Sequence, residues 1–327
     1  MYNTIFLFDT SIATENLGDF IIMDAVKKQL RGIFKDDFFV STATHDTLGK
    51  SAKEWYHSAE YSFVGGTNLL TDRFIGRNRS QWKYGFRDMQ VSNSIGVGLG
   101  WQSYKNYDRL MERPLKWAQK KIYRSALSHT YMHSVRDSYT KRKLSQLGID
   151  SINTACVTMW NLTPDFLSTI PERKSDTVVT TITNYCKSPE HLHVYRELLS
   201  ILLDSYEHVK LWIQAGEDYE VFQSLALPNA ERIELVSPNL PALDRVLDGD
   251  VDYIGTRLHA GIRALQHQNR TMIIELDNRA HEIARDTNLP TLSFKKIDQV
   301  IDFIEHPQTM DIQIPLDNIA QWKAQFK

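Results

Sequence analysis

From Thr177 onward the sequence switches repeatedly between a short apolar run and a longer amphipathic one. "TVVTTIT" precedes "PEHLHVYRELLSILLDSY", "HVKLWIQA" precedes "EDYEVFQSLAL", and "RIELV" precedes "PALDRVLD". "VDYIG", "RTMIIEL" and "PTLSF" are followed in the same way by "LHAGIRALQ", "AHEIARDTN" and "IDQVIDFIEH". The short runs suit buried strands, and the long ones carry apolar residues at helical spacing. A strand, a helix and a further strand close most readily as a right-handed crossover between parallel neighbours. Such a chain is constrained to a parallel sheet with helices on both faces.

The N-terminal half reads similarly. "TIFLF", "DFFVST", "YSFVGG", "NSIGVGLG" and "TYMHSV" are strand candidates. Helices are expected from Asp19, placed as a cap, to Phe34, from Tyr107 to Leu127, and over "DSYTKRKLSQLG". The stretch from Thr163 to Asp176 mixes Pro164 and Pro171 with "ERKSD" and reads as a connection. The expected fold is α/β: two Rossmann-like domains, residues 1–168 and 169–327, with parallel sheets facing a cleft.

Composition excludes several classes. The 327 residues are 42% hydrophobic and 24% charged, the mix of a globular chain with a substantial core. A formal net charge of −2 gives no basic excess for general nucleic-acid binding. Two cysteines, Cys156 and Cys186, make no disulfide framework and no zinc site by themselves. The N-terminal "MYNTIFLFDT" lacks the basic region and cleavage site of a secretory signal. No window offers the roughly 18 apolar residues of a membrane span. A cytoplasmic protein with at most peripheral membrane contact is expected.

Ligands of open α/β sheets sit beyond the C-terminal strand ends, and the polar motifs fall there. "ENLGD" places Asn16 and Gly18 before Asp19, as a capped turn or as a loop approaching a ligand. "FVGGTNLL" offers Gly65, Gly66 and Thr67, as a tight turn or as an anion cradle. "SIGVGLGW" has the wrong glycine spacing for a dinucleotide fingerprint and reads as a glycine-lined wall. "HSVRDSYT" sets Arg136 at a helix start, to grip a carboxylate or phosphate or to pair with Asp137. "YIGTRLHAGIRALQ" puts Arg257 and His259 where a strand hands over to a helix, whose N-terminus favours anions. "ELDNRAHEIARDTNLP" adds Asn278 and Arg279 at another strand end. The histidines show no metal-ligand spacing, so no metal and no cofactor is expected.

The order of "NLGD", "GGTNLL", "GVGLG", "SVRD", "TRLHAGIRALQ" and "DNRAHEIARDTNLP" resembles the polysaccharide pyruvyltransferase family over most of the chain. Glu15 stands where that family usually has glycine, and Gly65-Gly66-Thr67 replaces its glycine triplet. The resemblance implies a GT-B-like transferase. It would move a pyruvyl group from phosphoenolpyruvate onto a sugar of a bacterial-type surface polysaccharide or its precursor, forming a cyclic ketal. The N-terminal domain would take the acceptor sugar, which can be lipid-linked at the inner membrane face, and the C-terminal domain the donor. Carried over by position, Asp19 and His259 would be catalytic, with His259 the general acid. Arg136 and Arg257 would hold the donor, and Leu258 completes the Arg-Leu-His triplet. Asn16, Gly65, Gly66, Thr67, Asn278 and Arg279 would also line the substrate. A nucleotide-sugar-dependent glycosyltransferase and a non-catalytic glycan-binding protein on the same fold are the alternatives.

Overall fold

The computed structural model describes residues 2–72, 81–84, 93–102, 104 and 113–326. In chain order the first elements are β1 (Thr4–Asp9), α1 (Leu17–Ile33), β2 (Phe38–Ala43), α2 (Lys50–Ser58), β3 (Tyr61–Gly65) and β4 (Ile95–Val97). Then come α3 (Arg113–Ala126), β5 (His133–Val135), α4 (Ser138–Gln146), β6 (Ser151–Asn153), α5 (Pro164–Leu167), β7 (Thr177–Thr180) and α6 (Pro189–Ser205). β8 (His208–Trp212), α7 (Gly216–Ser224), β9 (Ile233–Val236), α8 (Leu240–Leu247), β10 (Asp252–Gly255) and α9 (Leu258–Gln266) follow. The chain ends with β11 (Thr271–Glu275), α10 (Asn278–Thr287), β12 (Thr291–Ser293), α11 (Val300–Glu305) and α12 (Leu316–Ala324). Of the helix expected over Tyr107–Leu127, α3 supplies the later part; residues 107–112 lie outside the described residues.

The chain divides into two compact units. Unit 1 holds Met1–Thr14, Ile22–Trp160 and Pro315–Lys327; unit 2 holds Glu15–Ile21 and Asn161–Ile314. The expected connection from Thr163 to Asp176 is instead part of unit 2 and contains α5. Pro164, read from sequence as a breaker, occupies the first helical turn, where its missing N–H costs nothing. Thr163 caps that turn. The chain then returns to unit 1 for α12, so the expected boundary at 168/169 describes neither crossing.

In unit 1 a parallel sheet runs β2-β1-β3-β4, and β5 pairs with β6 beside it. Ile5, Phe6, Leu7 and Phe8 of β1 are all buried, as a strand covered on both faces must be. On one face Phe8 packs edge-on to Phe6 and Trp82 at 5.3 and 5.5 Å. On the other, Phe326 meets Phe63 at 5.3 Å, and Trp322 of α12 donates its indole N–H to the Met132 carbonyl at 2.9 Å.

His133, fully buried in β5, ties two strands. Its Nδ1 accepts from the Gly96 N–H at 3.0 Å, and its Nε2 lies 3.0 Å from the Ser128 carbonyl. A backbone amide can only donate, so Nδ1 is bare and the ring is neutral. Burial pushes its pKa down to about 4 from 6.5. Between those two values the unfolded chain binds a proton that the folded one refuses. Stability is therefore complete above pH 6.5 and falls as the pH drops toward 4, by roughly 3 kcal/mol for this group. Urea unfolding of wild type and His133→Gln at pH 7 and pH 4.5 checks this. The acid loss should be smaller in the variant; equal losses would remove His133 as the cause.

In unit 2 six parallel strands run β12-β11-β10-β7-β8-β9. The chain starts at β7, works outward through β8 and β9, then crosses back to β10 and continues through β11 to β12. The strand order thus reverses between β7 and β10, and in open α/β sheets ligands are held beyond the C-terminal strand ends at such a reversal. The last expected helix begins as a 3₁₀ turn over Phe294–Gln299 before α11. The expected α/β class with parallel sheets holds in both units.

Candidate active site

β10 ends in Gly255, and the physical need for glycine is plain. A Cβ there would lie 2.5 Å from Thr181 Oγ1 and 2.7 Å from the Thr181 amide nitrogen. The close approach lets the segments after β7 and β10 bind each other. Thr256 N–H donates to the Thr181 carbonyl at 3.0 Å, and Arg257 N–H to Thr181 Oγ1 at 3.1 Å. Tyr253 OH donates to the Arg257 carbonyl at 2.9 Å. Arg257 is thereby fixed in extended conformation at the mouth of α9, to which its side chain gives no cap. Gly261 then lets α9 settle on β11, since a Cβ there would lie 2.5 Å from Ile273 Cγ1.

The Arg257 side chain is 96% buried, at 4% exposure. One terminal nitrogen donates to Asp218 and, at 3.3 Å, to Asn184 Oδ1. The guanidinium carbon stands 4.4 Å above the Tyr185 ring. Among the described residues its Nε–H reaches no acceptor. A buried guanidinium with an unmet donor, beside a helix N-terminus, can receive an anion. His259 lies in the first turn of α9, 5% exposed, and Leu258 between them is buried.

Asp218 organises the surroundings. It is fully buried in the first turn of α7. Oδ2 accepts from Ala215 N–H at 3.1 Å; Oδ1 accepts from Asn184 N–H at 2.9 Å and from Arg257. One carboxylate so joins the segments that follow β7, β8 and β10. Arg279 approaches from the end of β11, 6.0 Å from the Tyr185 ring. Asp277 caps α10 and accepts from Arg279 N–H at 2.9 Å and from its Nε at 2.8 Å. Burial works against the Arg279 charge, but the neighbouring Asp277, Tyr185 and Asp19 raise its pKa on balance. Asn278 is the first residue of α10.

The "ENLGD" loop belongs to the same unit. α1 begins at Leu17, so Asp19 sits in its first turn and not at the cap. Asn16 takes the capping role: its Oδ1 accepts from Gly18 N–H at 3.2 Å and its carbonyl from Asp19 N–H at 3.0 Å. Leu17 N–H donates to the Gln214 carbonyl just beyond β8 at 3.2 Å, which brings this loop to the same strand ends. Unit 2 therefore gathers Asn16, Asp19, Arg257, Leu258, His259, Asn278 and Arg279. Sequence reading passed over Asn184, Tyr185, Gln214 and Asp218, which no motif marks. Their position just after β7 and β8 was the available signal.

The other expected residues, Arg136, Gly65, Gly66 and Thr67, lie in unit 1. Arg136 is 2% exposed and donates through Nε to Asp137 Oδ2 at 3.2 Å and through one terminal nitrogen to Asn68. Gly100 leaves room for it: a Cβ there would lie 2.2 Å from the guanidinium carbon. A Cβ on Gly66 would lie 2.0 Å from the Gly98 carbonyl oxygen, and one on Gly65 would meet Met23 at 2.4 Å. Thr67 is buried, and its carbonyl accepts from Gly100 N–H at 3.1 Å. Among the described residues no cluster of three or more His, Cys, Asp or Glu is set to hold a metal, and no helix is long and apolar enough to cross a membrane.

These sheets and their order are those of a GT-B-type α/β fold. Solved structures of the same fold include the UDP complex of MnaA from S. aureus, at 10% identity and TM-score 0.53, covering 100% of this chain and 98% of that one. UDP-N-acetylglucosamine 2-epimerases from Neisseria meningitidis and Rickettsia bellii are similar at 10% and 12% identity, with TM-scores of 0.51 and 0.50. They cover 99% of this chain, and 98% and 94% of their own. At such identity the likeness concerns the fold alone. No curated protein matches the sequence significantly. The pattern of the polysaccharide pyruvyl transferase family matches residues 16–278, and the chain belongs to that family. It is an enzyme acting on polysaccharide.

Proposed function

We propose that this enzyme transfers the pyruvyl skeleton of phosphoenolpyruvate to two hydroxyls of one sugar as a cyclic ketal, releasing inorganic phosphate. The observation that carries the reading is Arg257: buried, short of one acceptor, and set at the N-terminus of α9 beside His259. Phosphoenolpyruvate is small and densely anionic, and Arg257, Arg279 and the helix end suit its carboxylate and phosphate.

His259 gives a proton to the methylene carbon, which makes C2 electrophilic. The first hydroxyl attacks C2 while Asp19 takes its proton. The second hydroxyl displaces phosphate, its proton leaves with that group, and the ring closes. The proton on Asp19 balances the one given by His259. On α3, Trp117, Lys120, Lys121 and Arg124 form one exposed stripe. That stripe favours contact with an anionic membrane face, where a lipid-linked acceptor would reside.

The test combines the protein with phosphoenolpyruvate and a panel of hexopyranosides, and reads phosphate release with a pyruvate-sized mass gain of the sugar. Arg257→Gln should raise the donor KM roughly 10- to 100-fold, the range of hydrogen bonds to charged groups. Phosphate-free incubations across the panel would end the reading; consumption of a nucleotide sugar would replace it. Protein left in the supernatant when anionic vesicles are sedimented would remove the membrane part.

A further inference from the structure

Gln214 lies two residues beyond the end of β8 and is 4% exposed. Its orientation is dictated by its neighbours. Asn16 Nδ2 donates to Asp19 Oδ2 at 3.2 Å, and Gly18 N–H donates to Asn16 Oδ1 at 3.2 Å. An ionised carboxylate only accepts and a backbone amide only donates, so both contacts fix the Asn16 amide the same way round. Asn16 Oδ1 then receives Gln214 Nε2 at 2.9 Å. Gly18 keeps room for this contact, since a Cβ there would lie 3.0 Å from Gln214 Nε2.

The relay leaves Gln214 Oε1 as its far end. That oxygen is buried and accepts no hydrogen bond from any of the described residues. An unmet buried acceptor is a standing cost that a ligand's donor removes. Phosphoenolpyruvate, ionised, offers only acceptors and cannot supply it. A sugar hydroxyl can.

Resting on the pyruvyl-transfer reading, we infer that Gln214 recognises the acceptor sugar, its Oε1 taking the hydrogen of one ring hydroxyl. Gln214 selects the sugar, while Arg257 selects the donor. The polarity of the Asp19–Asn16–Gln214 relay makes this position read a hydroxyl and reject an anion.

The test uses the full chain and a series of monodeoxy hexopyranosides, each lacking one hydroxyl. Binding to wild type and Gln214→Met is measured calorimetrically, with and without phosphoenolpyruvate. Wild type should lose at least about tenfold in affinity for one deoxy sugar. Gln214→Met should bind the parent sugar that much more weakly, lose nothing further with that deoxy sugar, and keep its affinity for phosphoenolpyruvate. A residue acting only through the fold would weaken every ligand alike. Additive effects at every hydroxyl, equal weakening of donor and sugar, or no sugar binding by wild type would each overturn the inference. Gln214→Ala serves if the methionine variant does not fold. Binding without any phosphate release would end the pyruvyl-transfer reading while the deoxy series still decides Gln214.

Discussion

His259→Gln should lower kcat by roughly 100- to 10,000-fold, the usual contribution of a positioned general acid. Glutamine keeps the size and a hydrogen-bonding end but cannot deliver a proton. The donor KM should change little, because Arg257 and the α9 N-terminus are untouched. Arg257→Gln should give the opposite pattern, a donor-binding loss. The position of His259 favours this division: two residues after Arg257, in the first helical turn and 5% exposed. Steady-state phosphate release, with a thermal melt to show the variant is folded, checks the result. A folded variant with near-normal turnover removes His259 as the acid.

The second large effect is on stability and lies at the opposite end of the same sheet. Arg270, 1% exposed, donates through Nε and Nη2 to Asp252 at 3.2 and 2.7 Å. Tyr206 OH donates to the same carboxylate at 2.6 Å. Arg270 also reaches the Phe303 carbonyl at 2.9 Å, with its guanidinium carbon 4.4 Å from the Phe303 ring. Asp252→Ala leaves a guanidinium charge and a hydroxyl buried without their acceptor. The loss should be about 3–5 kcal/mol, as for other buried pairs broken on one side. The thermal midpoint should fall on the order of 10 °C. Asp252→Leu combined with Arg270→Met should recover part of this, since no charge then stays buried. A midpoint within about 2 °C of wild type for Asp252→Ala, well short of that fall, would contradict the assignment.

Both predictions concern residues at strand ends, and the contrast between them shows what linear sequence conveys. Arg257 lies two residues beyond the end of β10, and Arg270 just before the start of β11. Both read as polar groups beside apolar runs. Only Arg257 lies beyond a C-terminal strand end, where open α/β sheets hold their ligands, whereas Arg270 at the other end is closed in by Asp252 and Tyr206.

What the sequence determined by itself is what short-range physics carries. The two periodicities set strands and helices, their alternation set parallel sheets, and the strand-end position marked Arg257, His259 and Arg279. Glycines at 255 and 261 were visible too, though not the Thr181 and Ile273 atoms that require them. Tertiary structure alone decided the partners. Asn16 meets Gln214 across 198 residues, Arg257 meets Asp218 across 39, and Arg136 meets Asn68 across 68. It also returned α12 to unit 1 after the whole of unit 2. The reason is the same in each case. A local pattern fixes backbone conformation and which face is apolar, whereas the pairing of a buried polar group depends on what distant segment burial brings beside it.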